Sequence, residues 1–245
     1  MKCPSEASHR QRCNAILDAA EALVVADGII SFNFSQLAKE VGCSTGTLYR
    51  FFERKEDALV CLFLRNATSN HLQGFVTQHP DLTAMEKVLL PVLFTFEMVQ
   101  RNPSFNALRS VSVNAHIWKL ASADKVARLR QRVDHFWNWF HQSVAQAQAS
   151  GELQASPDQA RLLAQGMVFF LTGALTQFES QLVSGRYLGE RNDTCFEHLY
   201  QLMNQYRWHT PFTEAVYRSL AQQVAAYLQQ HYRRHRDCGH CQQLG

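Results

Sequence analysis

The chain has 245 residues, of which 46% are hydrophobic and 18% charged, with a formal net charge of +3. That length allows one large domain or two modest ones, and that apolar content is ample for a packed core. No stretch approaches the roughly 18 uncharged apolar residues of a membrane span, and the polar segment Met1 to Arg12 lacks the apolar heart of a signal peptide. A soluble cytoplasmic protein with no membrane partner is therefore expected. The cysteines number seven and are mostly scattered, which points to reduced thiols rather than a disulfide framework.

In chain order, the first predicted helix covers residues 8–26, where Ile16, Ala20, Leu23 and Val24 recur at helical spacing and Gly28 stops the run. Phe32 and Phe34 flank Asn33, an N-cap candidate, with Gln36 placed to complete a capping box. Leu37, Ala38 and Val41 share one face of the helix that follows, and Gly42 can take the left-handed conformation that ends it. Ser44 caps a second short helix, Thr45 to Phe52, whose Leu48 and Phe52 face the first.

A fourth helix is predicted from Lys55 to about Phe75, apolar at first and polar later, before a loop at Gln78-His79-Pro80-Asp81. Asp81 to Gln100 reads as a helix kinked by Pro91, and Asn102-Pro103-Ser104 restarts a short one to Ser112. Ser122 to Ala149 is a long helix with Val126, Leu129, Val133, Phe136, Phe140, Val144 and Ala147 in a stripe, closed by Gly151. Ser156, Pro157 and Gln159 make a compact start for a helix reaching Val183. Cys195 to Trp208 follows, then a last helix from Thr210 to Arg234 with Val216, Leu220, Val224, Leu228 and His231 on one side. No alternating strand pattern and no internal repeat appears, so the expected fold is all-α.

Two short helices joined by a tight turn form a helix-turn-helix, a motif that lays its second helix in the DNA major groove and reads bases from that helix's first residues. The stretches I-L-D-A-A-E-A-L, then Q-L-A-K-E-V-G-C-S-T-G-T-L-Y-R-F-F, then K-E-D-A-L closely resemble the N-terminal domain of TetR-family transcriptional repressors between Ala15 and Leu59. The resemblance implies that Thr45 and Thr47 touch bases or nearby phosphates, with Ser44 at the helix start, and that Tyr49 and Lys55 touch phosphates. It places Arg50 where relatives often read bases, and an arginine there can pair bidentately with guanine. Phe51 departs from the His or Tyr that many relatives carry. Bulk charge gives no support: residues 1–75 hold eight Lys/Arg and eight Asp/Glu. Double-stranded operator DNA is the expected partner on motif geometry alone.

The resemblance also implies a helical C-terminal domain that binds a small-molecule effector and forms a homodimer. Aromatic residues are in excess there. Phe94, Trp118, Phe136, Trp137, Phe140 and Phe170, with Gln177 as a polar partner, are the candidate effector contacts. Gly166, Gly173 and Ala174 form a small-residue side of the helix from Pro157, and Ala221 and Ala225 could complement it across a dimer interface. The tail carries His231, His235, Cys238, His240 and Cys241, a pattern that zinc or a thiol pair could use, although one C-x-x-C without a second pair is a weak metal signal. No catalytic motif emerges, and neither a metal nor a cofactor is expected.

The expected organisation is a helix-turn-helix domain over 8–55, a helical effector-binding and dimerisation domain over 56–236, and a tail over 237–245. The expected function is a homodimeric repressor released from its operator by a small apolar or amphipathic ligand, not an enzyme. Two other readings stand beside it. One is a metal- or thiol-responsive regulator that senses through the tail. The other is an all-α ligand-binding protein or enzyme without DNA binding.

Overall fold

The computed structural model describes residues 6–232, and the tail residues His235, Cys238, His240 and Cys241 lie outside them. The described residues are all-α apart from one short strand pair. Its helices are α1 Ala7–Ser31, α2 Phe34–Val41, α3 Thr45–Tyr49, α4 Lys55–Asn66, α5 Ser69–Gln78, α6 Ala84–Arg101 and α7 Pro103–Val113. They continue with α8 Ala115–Trp118, α9 Ala123–Ala149, α10 Pro157–Glu179, α11 Gly185–Leu188, α12 Arg191–Asn204 and α13 Glu214–His231. Strands β1 Leu153–Gln154 and β2 Arg207–Trp208 pair antiparallel, Leu153 opposite Trp208. Among the described residues no helix is long and apolar enough to cross a membrane.

Two compact units share these elements. Residues 6–70, 98–133 and 231–232 belong to the first, and 71–97 and 134–230 to the second. This packing division differs from the functional one at residue 55, which remains a proposal.

In the first unit, Ile16, Leu17, Ala20, Leu23 and Val24 of α1 are buried together with Leu37, Leu48, Phe52 and the apolar run Ala58 to Leu64 of α4. Phe32 and Phe34 join them, as their position beside the Asn33 cap predicts. Gly28 does break the regular winding of α1, at φ 79° and ψ 166°, but a last turn carries on to Ser31. Beneath this core lies a polar network, buried at Arg65, Glu21 and Ser104 and exposed at Asp18. Arg65, whose side chain is 1% exposed, donates to Asp18 and to Glu21 at 2.7 Å each. Glu21 also accepts from Asn102 at 2.7 Å and Ser104 at 3.3 Å, and the Asn102 amide reaches the Tyr232 hydroxyl at 3.0 Å.

The single helix expected from Lys55 to Phe75 is two. The backbone turns extended at Ala67, with φ −62° and ψ 131°. The Asn70 amide takes over two carbonyls at the end of α4, those of Leu64 and Arg65, both at 3.3 Å. Nor is the stretch after Leu64 a solvated bridge, because Arg65, Asn66, Thr68 and Ser69 are all buried. Other ends shift too. The helix from Pro157 stops at Glu179 rather than Val183, α12 spans Arg191–Asn204 rather than Cys195 to Trp208, and α13 begins at Glu214 rather than Thr210, its expected end at Arg234 lying outside the described residues.

In the second unit, Pro91 sits inside α6 with no break in the helix. A proline has no N–H, so the Lys87 carbonyl one turn back loses its ordinary partner. The Trp139 indole of α9 fills the vacancy, donating to that carbonyl at 2.9 Å. The start of α6 is fully capped. Glu152 accepts from the Ala84 N–H at 2.9 Å and the Met85 N–H at 3.3 Å. Thr83 supplies its hydroxyl to Glu86 at 3.1 Å and its carbonyl to Lys87 at 3.1 Å. The Ser156 and Gln159 capping box forms as expected, with bonds of 3.2 and 2.8 Å.

Candidate nucleic-acid interface

The helix-turn-helix is built from local chemistry. Asn33 caps α2 by accepting from the Gln36 N–H at 2.9 Å. The reciprocal half of the box does not form, because the Gln36 amide instead donates to Asp27 at 2.6 Å and ties α2 back to α1. Gly42 adopts φ 65° and ψ 40°, the left-handed conformation that a side chain disfavours. This geometry aims the Gly42 N–H at the Lys39 carbonyl, 3.2 Å, and the Cys43 N–H at the Ala38 carbonyl, 2.9 Å, which closes the helix end.

Ser44 then caps α3 by accepting from the Thr47 N–H at 3.1 Å. The regular helix ends at Tyr49, short of the expected Phe52. The winding continues past Tyr49, with a tighter bond from the Phe51 amide and an ordinary helical one from the Phe52 amide, both to the Leu48 carbonyl, at 2.9 and 3.0 Å. Leu48 and Phe52, with 0% and 1% of their surface exposed, pin this segment to the core. Phe34 packs between Tyr49, ring centres 5.2 Å apart, and Phe52 at 6.3 Å.

Most of the candidate contacts remain outward. Ser44, Thr45, Arg50 and Lys55 are exposed, and Tyr49 is 54% exposed despite its contact with Phe34. Thr47 is half-buried, with its hydroxyl 3.0 Å from that of Ser44, so part of its hydrogen-bonding capacity serves the cap. Gly46 is informative because nothing in the chain demands it. A Cβ there would meet only the Ser44 hydroxyl, at an ordinary 3.6 Å. A glycine without an internal reason, on the outward face of a helix, leaves room for a close approach from outside. At the other end, His9 in the first turn of α1 lies edge-on to Phe51 at 6.5 Å, so the start of α1 borders the same surface.

Asp57, absent from the candidates above, holds the start of α4. It is 1% exposed and accepts from the Glu53 N–H at 3.0 Å, the Arg54 N–H at 3.3 Å and the Ser122 N–H at 2.7 Å. Arg54 donates to the Leu120 carbonyl at 3.0 Å. The sequence signal for the first two bonds is a carboxylate in the first turn of a helix; nothing local signals the third.

The candidate effector residues are divided between the two units. Trp118 belongs to the first unit, between Lys119 and Arg130 at 5.9 and 5.8 Å from its ring. The others belong to the second. Phe94 is fully buried among Phe75 and Tyr227 at 5.3 and 5.9 Å, and Phe140 is buried beside half-buried Phe136 at 5.4 Å. Trp137 meets exposed Phe169 at 6.2 Å, Phe170 meets Phe96 at 6.2 Å, and Gln177 is exposed. An open groove of about 180 Å³ lies elsewhere in this unit, lined by Gln73, Val76, Lys87, Trp139, Gln142, Ser143 and Gln146.

Of the candidate interface residues, Gly166 faces α12 of its own chain, where an added Cβ would come within 2.9 Å of Leu202. Gly173 is exposed with nothing within 4 Å of such a Cβ, and Ala174, Ala221 and Ala225 are half-buried.

Residues 16–60 match the family described as bacterial regulatory proteins, tetR family. An HTH-type transcriptional regulator of Mycobacterium tuberculosis is 33% identical over 93 residues, 38% of this chain and 46% of that protein. The chain thus spans about half the length of this curated relative. Among solved structures, the transcriptional regulator FadR from Bacillus subtilis in complex with stearoyl-CoA shares 20% identity and a TM-score of 0.56, covering 75% of this chain and 96% of that one. A tetR-family regulator from Shewanella sp. PV-4 shares 22% identity and a TM-score of 0.55, covering 80% of this chain and 97% of that one. These two likenesses speak to the fold, and both are to regulators rather than enzymes.

Proposed function

We propose, for a chain that belongs to the TetR family of bacterial transcriptional regulators, a homodimeric, cytoplasmic repressor that binds double-stranded operator DNA through α3 and is released by an amphipathic small molecule. The observation that carries the DNA reading is the division of residues 44–55, α3 and its flanks, into two sides. Leu48 and Phe52 are buried, while Ser44, Thr45, Tyr49, Arg50 and Lys55 are exposed beside the open Cα of Gly46. Arg50 reads a base; Tyr49, Thr47 and Lys55 hold phosphates, with the Lys55 contact reinforced by backbone amides at the start of α4. Two copies read two half-sites about 34–36 Å apart.

The release step is a population shift. An effector that binds more tightly to a form with mismatched α3 spacing drains the DNA-competent form. The fold neighbour solved with stearoyl-CoA makes long-chain acyl-CoA the first ligand to try. The half-buried rings Trp137, Phe136 and Phe170 supply apolar surface worth about 25 cal/mol per Å² on contact, before the costs of association.

Selection of the full chain against a randomised duplex pool tests the first part. A two-fold-symmetric sequence should be enriched, and equal binding of selected and random duplexes would refute operator recognition. Titration with stearoyl-CoA, followed by emission of Trp118, Trp137, Trp139 and Trp208, tests the second. Linkage requires the selected duplex to weaken the ligand by the factor with which the ligand weakens the duplex. Equal ligand affinity with and without duplex would exclude stearoyl-CoA as the inducer.

A further inference from the structure

The Asp57 carboxylate does more than a helix cap needs. One oxygen, Oδ2, serves the Glu53 and Arg54 amides at 3.0 and 3.3 Å and completes the start of α4. The other, Oδ1, accepts from the Ser122 N–H at 2.7 Å, the shortest of the three bonds and the most distant in sequence, at a separation of 65 residues. Ser122 immediately precedes α9, and beside this bond the Arg54 guanidinium closes on the Leu120 carbonyl at 3.0 Å. The side chain is 1% exposed, so water does not compete for these acceptors. Phe52, 1% exposed, ends the recognition segment just before, and exposed Lys55 begins α4 within the segment so held.

We propose that Asp57 is a positioning residue for DNA binding: it clasps the start of α4 to the start of α9 and thereby fixes where Lys55 meets a phosphate. The inference rests on the operator-binding reading above. A carboxylate suits the task because it offers acceptors on two sides at once, whereas an amide or hydroxyl of similar size offers one. In Asp57→Asn the carbonyl can still cap α4, but the NH2 group then faces the Ser122 N–H, donor against donor, and the clasp opens while the cap persists. Asp57→Ser keeps a capping oxygen too short to reach both sides.

Affinities of the full chain for a selected and a random duplex, measured across a salt series, test this. Asp57→Asn should weaken both duplexes by the same factor, roughly fivefold to tenfold, and lower the slope of log K against log salt by about one, the loss of one phosphate contact. The preference for the selected duplex, carried by Arg50, should survive. Lys55→Ala added to Asp57→Asn should change little more, because the two act through one contact. Independent, multiplying effects of the two substitutions overturn the proposal, as does an unchanged salt slope. If Asp57→Asn loses its helical circular dichroism, Asp57→Ser takes its place in the same cycle. Amide exchange in the wild type gives a separate reading: the selected duplex should slow the Ser122 amide at least severalfold, and an unaffected Ser122 amide in a duplex-bound chain overturns the clasp. Failure of the wild type to prefer any duplex is seen first, in the affinities themselves, and removes the operator-binding reading rather than the geometry.

Discussion

Gly173 decides whether α10 meets a second copy of the chain. In the single subunit a Cβ at this position has nothing within 4 Å. Glycine inside a helix costs about 1 kcal/mol relative to alanine, so Gly173→Ala should stabilise an isolated subunit by about that amount. If α10 packs against its own copy, the sign reverses as the side chain grows. Overpacking a close helix contact costs about 1–3 kcal/mol, and a two-fold interface counts the change twice, about 2–6 kcal/mol in total. Gly173→Leu should therefore raise the dimer dissociation constant by roughly thirtyfold to twenty-thousandfold, and affinity for a two-site operator should fall with it. Sedimentation velocity over a dilution series reads the constant directly. Gly166→Leu is the control, because its side chain displaces Leu202 inside the subunit and should lower stability at every protein concentration. A Gly173→Leu protein that dimerises like the wild type, or a wild type that is monomeric throughout, would remove α10 from the interface.

Three further outcomes are expected. Gly46→Ala should leave thermal stability unchanged or raised, by up to about 1 kcal/mol, yet weaken operator binding; unchanged DNA affinity would mean the open Cα is incidental. Arg65→Met leaves Glu21 with Asn102 and Ser104 but without its cation, so urea unfolding should show a loss of about 3 kcal/mol, most of it recovered when Glu21→Gln is added; a loss below about 1 kcal/mol would show the network to be solvated. Burial pushes the Cys195 thiol from 9.0 up to about 11 and the Tyr217 phenol from 10.0 up to about 12. Both hold their protons more tightly when folded. Their contribution is therefore whole below pH 9 and drains as pH rises toward 11 and 12, and Cys195→Ala should flatten the loss of melting temperature between pH 9 and 11.

What the sequence disclosed was whatever a few consecutive residues decide among themselves. Asn33, Gly42, Ser44 and the pair Ser156 and Gln159 cap or terminate as read, since each bond spans three to five residues. Misreadings arose where a distant group intervened. Gln36 has two possible partners, and Asp27 wins over the backbone. The break at Ala67 depends on a side-chain amide replacing helical bonds, and apolar periodicity does not register it. Gly166 and Gly173 look alike on a helical wheel, yet one faces Leu202 and the other open space. Asp57 shows its capping role in the motif K-E-D-A-L but not its bond to Ser122.

The cap of α6 has a temporal side. Thr83 and Glu86 can complete their part as soon as they leave the ribosome, since they are neighbours in the chain. The Ala84 and Met85 amides cannot, because their acceptor is Glu152, 68 and 67 residues further on. While that stretch is being synthesised, at roughly 5–20 residues per second, the first turn of α6 has only water for two of its donors. Over several seconds the nascent α6 is thus free to fray from its front end. Arrival of Glu152 closes it, while the β1–β2 pairing must wait for residues 207–209, when the Glu152 carbonyl receives the His209 N–H at 2.7 Å.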